Sequence, residues 1–176
     1  MTLIKKTTKT KTIIELGKGC GALCHWSGHC CKHTSAILVG NEKKELAEDM
    51  GLSEKEFEKR YLEDTTRFNT KLKQFKQRRE KGRPHGPCIM LTETNRCRIH
   101  DIKPLYCRTG NCRNEHGEAI AVWFALNHFV NTNDAESMRQ WAAYLRTHPT
   151  IQGGKLEELI PDKKHLSRIL THELLY

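Results

Sequence analysis

The chain has no run of about eighteen apolar residues, so its sequence holds no helical membrane span. Its start, Met1-Thr-Leu-Ile-Lys-Lys-Thr-Thr-Lys-Thr-Lys11, lacks the apolar stretch of a secretory leader, which makes the cytoplasm the expected compartment. Thiols stay reduced there, so a disulfide framework is not the expected use of cysteine. There is no internal repeat, and no low-complexity tract beyond that first arm. No cysteine stands apart from the clusters with a lone histidine and an Asn or Asp partner, which argues against a nucleophilic cysteine hydrolase. No two cysteines are separated by two residues, the usual spacing of a zinc knuckle.

Cysteine itself is abundant and concentrated. All eight lie in two stations. The first, Cys20-Gly-Ala-Leu-Cys24-His-Trp-Ser-Gly-His-Cys30-Cys31-Lys-His33, packs four cysteines and three histidines into fourteen residues. The second holds Cys88 after Gly86-Pro87, then Cys97, then Cys107, then Cys112. Clustered thiols in a reducing compartment point to a soft or borderline metal, zinc or an iron–sulfur cluster. Eight thiolates are enough for two four-thiolate centres, which favours iron and sulfur. The loose spacings require a folded scaffold to bring the ligands together. Cys30 and Cys31 are adjacent. In extended backbone neighbouring side chains diverge, so one ion taking both would need an unusual turn. His25, His29, His33 and His100 flank cysteines. Ligation by any of them would favour zinc or raise a cluster's potential, and the leading reading makes them neighbours of the site. Arg108, beside Cys107, is positioned to neutralise thiolate charge.

At 176 residues the chain suits one domain: a flexible basic arm over 1–11, then a single domain over 12–176. The expected fold class is mainly α, about five helices with irregular Cys-rich loops forming a metal site. Residues 12–16 read as a strand or extended lead-in, and Ser35–Gly40 as a short apolar segment. Glu42 to Met50 reads as a helix stopped by Gly51. Ser53 and Glu56 form a capping box opening a long helix to about Lys81, with Phe57, Tyr61, Phe68, Leu72 and Phe75 on one face. Ala119–Val130 is apolar throughout and long enough to favour a helix, with His128 as a core or boundary residue. Asn133 or Asp134 caps a helix to about His148, with Met138, Trp141, Ala142 and Leu145 inward. Pro161 opens a last helix with Leu166, Ile169, Leu170 and Leu174 on one face.

The net charge of +9 fits plain solubility as well as it fits an acidic partner, which would be RNA, a ribosome or an acidic protein face. The run Arg67, Lys71, Lys73, Lys76, Arg78, Arg79, Lys81 and Arg83 is its densest part. It reads first as charge suited to a helix C-terminus and second as a phosphate track. No small-molecule substrate class is legible.

His29-Cys-Cys-Lys-His-Thr-Ser-Ala-Ile-Leu38, then the capped helix, then Gly86-Pro-Cys-Ile-Met-Leu91 and Arg96-Cys-Arg-Ile-His-Asp-Ile-Lys-Pro-Leu-Tyr-Cys-Arg108, resemble the YkgJ-type cysteine-cluster family over residues 20–112. That family is described as zinc- or iron-chelating and includes the flagellin lysine methylases. The resemblance implies that Cys88, Cys97 and Cys107 are ligands, joined by Cys20, Cys24, Cys30 or Cys31. The family's first station usually runs Cys-x-x-Cys-x-x-Cys-Cys, whereas the gaps here are three and five. Cys112 lies beyond the common pattern. No S-adenosylmethionine motif accompanies the cysteines, so methylase activity does not carry over.

Three functions follow as expectations. The first is an iron–sulfur protein of the 4Fe–4S type serving redox chemistry or an enzyme. The second is a structural zinc module that binds RNA or an acidic protein. The third is a thiol redox or metal-delivery protein in which Cys30 or Cys31 is reactive.

Overall fold

The computed structural model describes residues 28–109 and 117–174. The basic arm, residues 12–16, and Cys20, Cys24, His25 and Cys112 lie outside the described residues. The described residues divide into two compact units: 28–65 with 72–109, and 66–71 with 117–174.

The first unit carries the described cysteines. Its elements are α1 (His29–His33), β1 (Ile37–Leu38), α2 (Glu42–Asp49), α3 (Glu54–Tyr61), β2 (Leu62–Arg67), β3 (Thr70–Phe75) and α4 (Leu105–Thr109). The strands form one sheet in the order β1-β3-β2. β1 runs antiparallel to β3, with Ile37 opposite Gln74 and Leu38 opposite Lys73. α2 ends before Gly51, which takes a left-handed φ of 66°, as expected from a C′ glycine. The Ser53 capping box forms in both directions: Ser53 Oγ accepts from Glu56 N–H, and the Glu56 carboxylate accepts from Ser53 N–H. Ala36, Leu38, Leu46, Ala47, Phe57, Leu62, Phe75, Cys88, Met90 and Ile99 make the core.

The long helix expected from Ser53 to Lys81 stops at Tyr61, and a β-hairpin replaces its remainder. Thr65, Thr66 and Thr70 are β-branched and favour strand. Phe68 and Asn69, at φ 47° and 57°, close a two-residue turn of the primed kind that matches strand twist. Three of the apolar residues with helical spacing still meet, by another route: Tyr61 packs on Phe57, and Phe75 returns on β3 to place its ring edge-on, 6.2 Å from Phe57. Counting only described residues, eight helices and a three-stranded sheet make the protein mixed α and β rather than mainly α.

The basic run lies on this hairpin and the loop after it, and much of it is internally paired. Lys73 bridges Glu58 and Asp64 at 2.7 and 2.8 Å. Arg79 grips both oxygens of Glu63, and Arg83 reaches Glu80. Arg78 donates to Leu91 O and Lys76 to Lys59 O. These residues are therefore not the end of a helix, and their charge is partly spent within the unit.

The second unit is helical: α5 (Gly117–His128), α6 (Ala135–Tyr144), α7 (Leu156–Leu159) and α8 (Lys163–Leu170), with the hairpin tip 66–71. α5 is the expected helix over the most apolar stretch. Asp134 caps α6, accepting from Ser137 N–H at 2.6 Å. The helix ends at Tyr144, short of His148, and Leu145 forms its C-cap. Met138 and Trp141 are fully buried, and Trp141 Nε1 donates to Gly154 O at 2.9 Å. α8 starts at Lys163 under an Asp162 cap, so Pro161 precedes the helix instead of opening it. Leu166 and Ile169 are buried, whereas Leu170 is exposed. Arg139 donates to Ile169 O and Leu174 O, holding the end of α8 against α6. The strained tip is held by its contacts. Phe68 packs edge-on against Trp141 and Tyr144, Asn69 bonds Gln140 and Asp134, and Thr70 donates to Phe129 O. No helix among the described residues is long and apolar enough to cross a membrane.

Candidate metal centre

The described part of the first station is helix α1. Its N-cap is Gly28, buried and left-handed at φ 66°. A Cβ there would meet Asn95 Cβ at 3.2 Å and be strained by its φ as well. Glycine thus lets α1 lie directly on the turn between Cys88 and Cys97. Because α1 is helical, the divergence expected of Cys30 and Cys31 in extended backbone does not occur. Their sulfurs stand 3.9 Å apart. Cys30 is exposed, whereas Cys31 is half-buried and packs on the core. His29 and His33 are exposed, with ring centroids 4.9 Å apart on one side of α1.

The second station is a series of backbone bridges. Cys88 pairs with Gln77, and its N–H donates to Cys31 O at 2.8 Å, so the two stations are joined directly through main chain. Arg78 N–H donates to Pro87 O and Ile89 N–H to Lys76 O. A Cβ on Gly86 would stand 2.2 Å from Arg78 O, so only glycine admits this approach. The chain then reverses. Leu91 pairs with Cys97, Arg98 N–H donates to Met90 O, and Asn95 takes φ 60° in the turn. Cys107 sits on α4, its N–H bonded to Pro104 O. His100 lies beside Asp101 and Lys103, at 3.5 and 3.3 Å.

Electrostatics tie these sulfurs together. Burial pushes the Cys107 thiol far up, and the charges of Cys88, Cys97 and Cys30 push it further, against Lys103. Cys31 is raised by its hydrogen bond to Cys30, then by burial, then by the charges of Cys30, Cys107 and Cys97. The same bond lowers Cys30 to about 6. Burial raises Cys88, while Met90 and Ala36 N–H groups, the Ser35 side chain and Arg78 favour its thiolate. Thiols from both stations thus lie within each other's fields, and their joint ionisation is penalised unless a cation joins them. Among the described residues, no three of His, Cys, Asp and Glu are close enough to enclose a metal ion as they stand. The donors fit zinc or an iron–sulfur cluster in kind, being soft and nearly all sulfur.

Sequence reasoning missed four participants: Gly28, Ser35, Glu42 and Lys103. The cation acting on Cys107 is Lys103, whereas Arg108 acts on Glu42. Gly28 and Lys103 had a local signal, since both stand within the cysteine stations.

Residues 19–128 match the family model CxxCxxCC, described as a putative zinc- or iron-chelating domain. No curated protein and no solved structure matches the chain.

Proposed function

The chain belongs to the CxxCxxCC family of cysteine-cluster domains, and on that footing we propose that it binds an iron–sulfur cluster of the 4Fe–4S type through thiolates of both stations. The observation that carries this reading is the joining of the stations: Cys88 is bonded to Cys31 main chain, and Cys107 lies in the field of Cys30, Cys88 and Cys97. On α1 His29, Cys30 and His33 are exposed and Cys31 is half-buried, which makes the Cys31 sulfur the inward donor of that helix. Cys88, Cys97 and Cys107 are the proposed ligands of the second station, with Cys30 or Cys31 from α1; Cys20, Cys24 and Cys112 remain candidates. Backbone N–H groups aimed at Cys88 favour its thiolate and would tune a bound centre. Such a cluster supplies one-electron chemistry, suiting a redox or accessory protein of the cytoplasm. Anaerobic purification should then yield a brown protein with iron and acid-labile sulfide in equal amounts. A colourless protein with stoichiometric zinc would overturn the cluster and leave the family's zinc alternative, held by the same thiolates.

A further inference from the structure

Glu42 opens α2, yet its two carboxylate oxygens serve groups outside that helix. Oε2 accepts from Val39 N–H at 2.9 Å, at the exit of β1. Oε1 accepts from Leu105 N–H at 2.6 Å. Leu105 is the first residue of α4, the helix that carries Cys107. The first N–H groups of any helix lack partners within it. The residue before α4 is Pro104, fully buried and without a side chain that can cap. Its carbonyl takes the N–H groups of Cys107 and Arg108, and Leu105 turns to Glu42. A carboxylate is the favoured partner at this end of a helix, and bonds to an ionised acceptor are the stronger kind. Glu42 is half-buried, and Arg108 faces the same carboxylate. α4 also packs against β1, so one side chain fastens a strand end, the start of α2 and the start of α4.

We infer that Glu42 is the positioning residue for Cys107: it caps α4 from another helix and holds that sulfur toward Cys88, Cys97 and Cys30. The inference rests on the proposed function only in treating Cys107 as a donor. Glu42→Gln and Glu42→Ala in the full chain should raise the alkylation rate of Cys107 several-fold in metal-free protein, with Cys88 and Cys97 unchanged. Glu45→Gln, one turn along α2 in the same cleft, should behave as wild type. With Co²⁺ as the probe, the Glu42 variants should bind roughly tenfold more weakly and lose thiolate-to-metal charge-transfer intensity. In the wild type the Leu105 amide should be protected from hydrogen exchange, which tests the cap even if a variant fails to fold. Unchanged Cys107 reactivity, an equal rise at all three thiols, or an unprotected Leu105 amide would overturn the inference. A wild-type protein that takes up no Co²⁺ would instead count against the metal reading, while alkylation still decides the role of Glu42.

Discussion

The two units are held by different means. In the helical unit, Ile120, Val122, Met138 and Trp141 are wholly buried on regular helices, and Asp134 and Asp162 cap two of them. In the cysteine unit, two-residue β1, the five-residue helices α1 and α4 and isolated bridges carry the residues of interest. Its core holds Phe57 and Phe75 together with Cys88, and Cys31, Cys97 and Cys107 pack against it. A unit packed by apolar helices draws its stability from burial, whereas short elements around thiols whose joint ionisation is penalised gain from a bound cation.

The largest expected effect separates the units directly. Removing metal with a chelator should sharply lower exchange protection over 88–98 while leaving the Leu105 amide, α5 and α6 protected, because a metal that joins ligands adds its binding energy to the segments that carry them. Equal loss in both units would erase the contrast. Next, Trp141→Ala should cost about 3–5 kcal/mol in denaturant melts of the helical unit and leave metal content unchanged. Lost metal would show that the units are not energetically separate. Gly86→Ala places a methyl into Arg78 O and should cost about 1–3 kcal/mol, with weaker metal retention through Cys88. Retention equal to wild type would show that this approach can relax freely.

The smallest effect is a pH dependence confined to the helical unit. Burial holds His128 below the ordinary histidine range, and its Nε2 has no hydrogen-bond partner among the described residues. The unfolded chain therefore takes up this proton first as pH falls. The contribution to stability is complete above the ordinary histidine pKa and is lost on acidification below it. His128→Phe should flatten that acid limb, read from melting temperature against pH. An unchanged slope would assign it to other groups.

Legibility followed the same division. The helical unit was readable because its signals are local: the apolar run of α5, the Asp134 cap, and Met138 and Trp141 at helical spacing. The capping box at Ser53 was readable for the same reason. Beyond Tyr61 a helical period over Phe57, Tyr61, Phe68, Leu72 and Phe75 masked a hairpin. Threonines and a Phe-Asn turn were the available counter-signals, weaker than five aligned apolar residues. At the cysteine stations the clustering of thiols was legible, but not their join. The contacts Gly28 to Asn95, Cys88 to Cys31 and Leu105 to Glu42 link residues distant in sequence, and none carries a local motif.

Sequence alone determined the clustered thiols, the capping box at Ser53 and the cap at Asp134, and the apolar stretches, since each depends on side-chain type or on neighbours within a turn or two. Tertiary structure decided that residues 62–75 run as strands, that Cys30 and Cys31 share a helical turn, and that a glutamate from α2 caps the helix of Cys107. The physical reason is that burial and long-range hydrogen bonds choose among local conformations of similar energy, and both exist only once the chain has closed on itself.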